Sequence, residues 1–218
     1  MLTVHHLGIS QSERIPWLCE ELGLPYELVR HDRDPTRMAP PALKALHPLG
    51  LAPILVDDDL VLGESPAIIE YISRRYAGGR LILGPDHADF AAYLYWFHFA
   101  NGTLQPRITM DLKGQRLPGV AAPILASPAA PTRPASSRTD LAHAVVERRL
   151  KEATFFAGDE FTAADIMMVY QLTTMRAFAP RNFGDCPNIR AYLQRIGERP
   201  AYRRAMAKSD PDQPLRLS

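Results

Sequence analysis

Strand-like and helix-like segments divide this chain of 218 residues into two unlike parts. Up to Gly79, short β-prone runs alternate with helical ones; from Ala88 onward no convincing strand occurs. Leu2 to His6 reads as a strand, and Ile15 to Leu22 as a helix carrying Ile15, Leu18, Cys19 and Leu22 on one face. Gly23 stops that helix, and the β-prone run Tyr26 to Arg30 follows Pro25. Strand, helix and strand in that order imply a parallel pair joined by a right-handed crossover. A short helical piece is expected near Pro41 to Leu46. Pro53 to Val56 and Leu60 to Leu62 then flank the acidic turn Asp57 to Asp59 as a hairpin. Ser65 to Tyr76 carries full helix punctuation, with Ser65 suited to the N-cap, Pro66 to the first helical position, and Arg74 and Arg75 to the last turn. The predicted order is βαβ, a helix, then ββα.

Gly78 and Gly79 end this pattern, and Gly84-Pro85 marks a linker, giving an α/β domain over 1–80 and an all-helical domain over 88–218. In the second domain, Phe90 to Leu112 is a long helical segment that Pro106 should kink or interrupt. Residues 113–138, rich in Pro, Ala and Ser, read as a long irregular connection. Leu141 to Ala153 returns to helical spacing. Thr162 to Phe178 is apolar nearly all round, as a buried central helix would be. Shorter helices are expected around Asn188 to Gly197 and Ala201 to Lys208.

Composition removes several function classes. Hydrophobic residues make up 46% and charged residues 22%, enough for a core without disulfide or metal staples. Lys plus Arg number 25 against 24 Asp plus Glu, and that near balance argues against a nucleic-acid partner. The two cysteines, Cys19 and Cys186, are far apart and not spaced as a metal knuckle, which fits a reducing compartment. The start MLTVHHLG lacks the basic and apolar stretches of a signal peptide, so a cytoplasmic location is expected. The charge-free stretches Phe90 to Pro106 and Leu117 to Thr132 are broken by polar residues or prolines, so no membrane helix is expected. The seven histidines show no ligand spacing, His5 and His6 would point to opposite faces of a strand, and no metal site is predicted.

Three runs carry a family resemblance. Gly50-Leu51-Ala52-Pro53-Ile54-Leu55, followed by Leu62-Gly63-Glu64-Ser65-Pro66-Ala67-Ile68-Ile69-Glu70-Tyr71-Ile72, resembles the glutathione-binding half of cytosolic glutathione transferases. Phe155 to Ile166, with Thr162 and Asp165 at capping-box spacing and Phe161 and Ile166 placed as a hydrophobic staple, resembles the signature of their helical domain. Ser10-Gln11-Ser12-Glu13-Arg14, followed by Trp17 to Gly23, is similar to the serine-type members common in bacteria and fungi. The resemblance implies a thioredoxin-like N-terminal domain, a helical C-terminal domain and a homodimer. It also implies glutathione as co-substrate, no other cofactor, and a small apolar electrophile as second substrate.

By that resemblance, Ala52 offers its backbone N–H and C=O to the cysteinyl part of glutathione, across a cis bond to Pro53. Glu64 and Ser65 hold the γ-glutamyl group, one its amine and one its carboxylate, where a helix N-terminus favours an anion. A hydroxyl near the end of the first strand would stabilise the thiolate. A free thiol has a pKa near 8.5, and lowering it by about two units takes roughly 2.7 kcal/mol of selective stabilisation. Ser10 and Ser12 both qualify. Ser10 and Glu13 also have capping-box spacing, but Pro16 would then fall beyond the first turn, so regular helix should begin later and leave Ser10 on the loop.

Other features separate neighbouring possibilities. No cysteine lies near the end of the first strand and no C-x-x-C occurs, which disfavours disulfide chemistry. Leu51 stands where many relatives carry Lys, Arg or Gln for the glycyl carboxylate, leaving Lys44 or Arg37 as candidate substitutes. The aromatic run Phe90 to Phe99 fits core better than pocket, with Tyr95, Phe99 and Asn101 still open as pocket or dimer residues. Two alternatives remain: a non-catalytic binding or scaffold protein on the same fold, and a glutathione-dependent peroxidase or reductase.

Overall fold

A computed structural model describes residues 1–116 and 137–218. The first part is built on a four-stranded sheet in the order β2-β1-β3-β4, formed by β1 (Leu2–Leu7), β2 (Tyr26–His31), β3 (Ile54–Asp57) and β4 (Leu60–Gly63). β1 and β2 run parallel, pairing Leu2 with Tyr26 through Leu7 with His31, as the crossover by α1 (Arg14–Leu22) requires. β3 lies antiparallel to β1, with Val4 opposite Leu55, and β4 returns antiparallel to β3. Along β1 the side chains alternate: Leu2, Val4 and His6 are buried on one face, while Thr3 and His5 are half-buried on the other. His6 therefore ends a row that starts as hydrophobic core.

α1 begins only at Arg14, after a 3₁₀ turn over Gln11–Glu13, so Pro16 sits within its first turn, where a missing N–H costs nothing. Gly23 closes the helix with φ +67°, a conformation that a side chain would oppose. α2 (Pro41–Lys44) packs Leu43 against Leu7, Ala39 and Ile54 in a small cluster on the far side of the sheet. α3 (Ser65–Tyr76) starts one residue earlier than its punctuation suggests: Glu64 is the N-cap and Ser65 the first helical residue. The Ser65 hydroxyl is turned inward and accepts a hydrogen bond from Arg14 at 2.9 Å, leaving it unavailable as a cap.

The second part is helical. α4 (Phe90–Phe99) passes through a π-helical turn at Ala100–Leu104 into α5 (Gln105–Arg116). The interruption expected at Pro106 thus falls one turn upstream, around the Gly102 carbonyl that its ring would strike and its missing N–H would leave unpaired. α6 (Arg138–Glu152) follows, so both ends of the connection expected over 113–138 are helical; its middle, 117–136, lies outside the described residues. α7 (Ala163–Leu172) is buried along its whole length and packs against α1 and α4. A 3₁₀ turn at Thr174–Ala177 replaces the last part of the expected helix. α8 (Pro187–Glu198) and α9 (Pro200–Ser209) complete the fold.

Two features of this framework position the site. α9 lies along α1, clamped by a bidentate pair from Arg199 to Glu21 at 2.7 Å and by Arg204 to Glu20 at 2.7 Å. The residues after α9 are thereby delivered to the end of β1. Of the aromatic run, Tyr93, Trp96, Phe97 and Phe99 are buried core, while Tyr95 is exposed and stacks on Phe99. No helix among the described residues is long and apolar enough to cross a membrane.

Candidate active site

Two helix starts converge at the carboxyl end of β1. The chain leaves β1 through Gly8 and Ile9, turns at Ser10 and enters α1; a second segment comes from β4 through Glu64 into α3. Both junctions hold a non-glycine residue in the left-handed region, Ile9 at φ +53° and Glu64 at φ +68°. Such conformations cost about 1–3 kcal/mol each and persist only where surrounding contacts fix them. At Ile9 the contact is visible: both carboxylate oxygens of Asp210 accept its backbone N–H, at 3.1 and 3.0 Å.

Between the junctions runs a cleft of about 300 Å³, lined among others by Gln11, His47, Leu51, Ala52, Pro53 and Glu64. The Ala52–Pro53 peptide bond is cis. The Ala52 carbonyl accepts from Gln11 Nε2 at 3.3 Å, which ties the loop before β3 to the turn that carries Ser10. The structure thus brings Ala52, Pro53 and the exposed Glu64 together in one cleft, with Ser65 buried directly behind it.

Ser10 and Ser12 occupy different depths. The Ser10 hydroxyl accepts the Ser12 N–H at 3.2 Å and so caps the 3₁₀ turn, without the reciprocal bond from Glu13 that a capping box needs. Ser12 has no exposed surface: its hydroxyl accepts the Leu7 N–H at 3.0 Å and lies 2.8 Å from His6 Nδ1 and 2.6 Å from the Ser10 hydroxyl. Ser10 retains 7% exposure and is the outer member of the pair.

The chain matches the family model of the glutathione S-transferase N-terminal domain over residues 10–75 and that of the C-terminal domain over 133–200. It is 34% identical to glutathione S-transferase 3 of Schizosaccharomyces pombe over 95% of this chain and 88% of that one. The chain belongs to the glutathione S-transferase family. Its likeness extends to the glutathione S-transferase GstB of Escherichia coli, 32% identical over 86% of this chain and 88% of that one. A solved glutathione S-transferase from Actinobacillus pleuropneumoniae superposes with a TM-score of 0.81 at 32% identity, over 100% of this chain and 99% of the other.

In this glutathione S-transferase the two substitutes considered for the missing polar side chain at Leu51 are placed unevenly. Arg37 is drawn away over the Phe178 ring at 5.4 Å, and the Lys44 stem packs under Gly50. His47, which the sequence reading passed over, lines the cleft instead. Its Nδ1 accepts the Leu49 N–H at 3.3 Å, so the neutral ring carries its proton on Nε2 as a donor. Leu51 is 57% exposed at the rim of the same cleft.

Two ionisable residues beneath the site are fully buried. Arg14 donates to Gln11 Oε1 at 3.1 Å, Ser65 Oγ at 2.9 Å, Asn101 Oδ1 at 3.0 Å and the Met167 carbonyl at 2.8 Å. Asn101, open in the sequence as a pocket residue, is therefore engaged in this network. Among the described residues Glu13 has no cation within ion-pair distance, and burial, reinforced by nearby Asp210, pushes its carboxyl up to about 8 against the opposing influence of Thr174 and Arg14. Because the folded value lies above the ordinary one, folding is favoured by the neutral acid, and this contribution is lost as pH rises through about 8. Wild-type protein is expected to lose thermal stability progressively from about pH 5 to about pH 8 and to level off above that, whereas Glu13→Gln should lack this slope. Parallel melting curves for the two proteins over that range would refute the assignment.

Both cysteines are free and buried. Burial pushes the Cys19 thiol up to about 12; burial and then Asp185 push that of Cys186 to about 11, which leaves neither as a nucleophile at neutral pH.

Proposed function

We propose that this glutathione S-transferase conjugates the thiolate of glutathione to small apolar electrophiles, with Ser10 as the hydroxyl that meets the sulfur. The observation that carries the reading is the convergence of Ala52, Pro53 and Glu64 on one cleft that Gln11 also lines, next in sequence to Ser10, the less buried of the two hydroxyls. Ala52 presents its backbone to the cysteinyl segment. The carboxylate of Glu64 faces the γ-glutamyl amine, and the first backbone N–H groups of α3, from Ser65 onward, receive the γ-glutamyl carboxylate. His47 Nε2 serves the glycyl carboxylate in place of a side chain at position 51. Ser12 is a partner of Ser10, not a rival for the sulfur, because every face of its hydroxyl is occupied.

The electrophile lies against the helical part, and the active form is a homodimer. A reducing cytoplasm suits a chain whose two thiols are free.

Calorimetric titration with glutathione, followed by turnover of a model aryl halide, tests the reading. Binding at millimolar glutathione or tighter and measurable conjugation are expected in the wild type. Ser10→Ala is expected to lower kcat/KM by about 10²-fold, which is about 2.7 kcal/mol of lost thiolate stabilisation. Absence of binding, or full activity of Ser10→Ala, would overturn the assignment. Conjugation-free binding in the wild type would move the protein to the binding or scaffold class.

A further inference from the structure

Behind Ser10, the neighbour of the cleft-lining Gln11, lies a continuous line of hydrogen bonds that reaches the residues after α9. Ser10 Oγ is 2.6 Å from Ser12 Oγ, Ser12 Oγ is 2.8 Å from His6 Nδ1, and His6 Nε2 is 3.2 Å from Asp210 Oδ2. His6, Ser12 and Asp210 are all buried, at 0%, 0% and 6% exposure. The members come from β1, the 3₁₀ turn and the segment following α9, so the line exists only when α9 is docked on α1.

The direction of every hydrogen follows from what each group can do. Asp210 accepts from His6 Nε2 at 3.2 Å and from the Ile9 N–H at 3.1 and 3.0 Å, with Arg30 3.6 Å away, a set of donors that favours the ionised carboxylate. An ionised Asp210 can only accept, so His6 Nε2 carries a proton, and in the neutral form of the ring, the form that can take up another proton, Nδ1 is an acceptor. The Ser12 hydroxyl then donates to Nδ1 at 2.8 Å, the shorter of its two acceptor contacts, the other being the Leu7 carbonyl at 3.4 Å. Having spent its hydrogen there, Ser12 Oγ can take part in the contact with Ser10 only as acceptor, and Ser10 is the donor. Ser10 Oγ, which also accepts the Ser12 N–H, keeps one lone pair, at the outer end of the line. At rest, the hydroxyl nearest the cleft is therefore set to receive a proton from a ligand and not to give one.

We propose that His6 is the terminal acceptor of the glutathione thiol proton, reached through the hydroxyls of Ser10 and Ser12, with Asp210 holding the resulting imidazolium; this rests on the reading of Ser10 above. The S–H bond breaks as a proton passes to Ser10 Oγ, the Ser10 proton passes to Ser12 Oγ, and the Ser12 proton forms a new N–H bond at His6 Nδ1. No electrons change hands beyond the bonding pair left on sulfur. Afterwards each hydrogen points the other way: His6 Nδ1–H to Ser12, Ser12 O–H to Ser10, and Ser10 O–H to the thiolate. One transfer both removes the proton and turns the Ser10 donor toward the anion it must stabilise. The order hydroxyl, imidazole, carboxylate is that of a general-base relay, lengthened by one hydroxyl.

The charged and titratable groups facing His6 and its partner are Asp210, Arg30 and His31 of β2, Arg33 beyond β2, and Glu13 of the turn. Arg30 lies 3.6 Å from Asp210 on the carboxylate oxygen that His6 does not use. Of these groups, Glu13 also titrates near neutral pH, so pH profiles are best recorded in the Glu13→Gln background.

The wild-type protein provides the first test. Nitrogen-15 spectra of the histidine rings at pH 7, with His6 identified by its loss in His6→Asn, should show a neutral Nε2–H ring in the free protein. Saturating glutathione should convert it to an imidazolium, and S-methylglutathione, which has no thiol proton, should not. A ring that stays neutral while thiolate absorbance appears would overturn the relay. In the second test, Ser12→Ala and His6→Asn saturated with glutathione should carry about tenfold less thiolate at pH 7 and bind glutathione correspondingly more weakly, while S-methylglutathione binds as it does to wild type, with Ser12→Thr restoring the thiolate. Unchanged thiolate in both variants would sink the relay and leave the role of Ser10 standing. Absence of glutathione binding or thiolate in the wild type would remove the functional reading itself, and the relay with it.

Discussion

Asp165→Ala is expected to lower the stability of the folded protein by about 3–5 kcal/mol, the upper range for a single substitution. The carboxylate is fully buried. Its oxygens accept the Phe156 N–H at 3.0 Å, the Thr162 N–H at 2.9 Å, the Thr162 hydroxyl at 3.3 Å and the Tyr192 hydroxyl at 3.0 Å. Burial nevertheless outweighs these donors and pushes the Asp165 carboxyl up to about 6, so the site holds a charge at a cost that only a full set of donors offsets. Alanine strands those donors inside the helical core, and each buried group left without a partner costs about 1–3 kcal/mol. It also removes half of the capping box that starts α7, the helix on which α1 and α4 pack. For a chain of this size the loss corresponds to a melting temperature lower by roughly 10 °C. Asp165→Asn keeps one acceptor oxygen and should fall between the two. Thermal unfolding followed by circular dichroism decides the matter: a variant melting within about 3 °C of wild type would show that the box is dispensable. Such folded Asp165→Ala protein as remains should bind glutathione normally, because the residue acts on folding and not on the cleft.

That capping box was legible in the sequence because it is local: Thr162 and Asp165 are three residues apart, and their spacing states the geometry. The same holds for Gly23 after α1 and for the hairpin of β3 and β4. Ser65 shows where local reading stops. Its position before Pro66 suits an N-cap, but a guanidinium from α1 draws its hydroxyl inward and Glu64 takes the cap instead. Pro106 shows the same for a helix interior, since the ladder adjusts one turn earlier through a π-helical segment. The residues that the sequence did not reveal are those whose partners lie far along the chain. Asp210 meets His6 across 204 positions, and nothing near Asp210 marks it as different from any other surface aspartate. His6 was visible as a strand residue opposite in direction to His5, which is correct, but its meaning depends on what α9 delivers. His47 differs from Arg37 and Lys44 only in where its loop folds. A reading by charge type alone favours the cations, and the fold favours the imidazole.

The same distinction between local pattern and long-range partners governs Arg14, whose replacement by methionine is the second large effect expected. Taken alone, a buried guanidinium is a liability; burial lowers the Arg14 pKa to about 10, and exchange for an apolar side chain of similar length would relieve that cost. The partners decide the sign. Arg14 ties the turn bearing Ser10 to the first residue of α3, to the π-helical turn through Asn101, and to the α7 backbone through the Met167 carbonyl. Tyr170 adds its ring face at 5.5 Å. Among the described residues no ionised carboxylate sits beside it at neutral pH, since Glu13 is largely protonated there, so the charge is balanced by neutral acceptors drawn from both parts of the fold. Methionine leaves the buried Ser65 hydroxyl and Met167 carbonyl, and the half-buried Asn101 amide oxygen, facing a methyl group. At about 1–3 kcal/mol for each acceptor left bare, the loss exceeds the relief and a net destabilisation of about 2–4 kcal/mol is expected. Arg14→Lys keeps the charge but not the fork that reaches several acceptors at once, so it should recover less than half of the loss. Because Ser65 and Gln11 are both released, the start of α3 and the floor of the cleft loosen together, and KM for glutathione should rise about tenfold while kcat falls less. Chemical denaturation and steady-state kinetics on the same preparations separate the outcomes. An Arg14→Met variant as stable as wild type would mean that the desolvation cost cancels the network, and a fall in kcat without a rise in KM would place Arg14 in the chemistry instead of the framework beneath it.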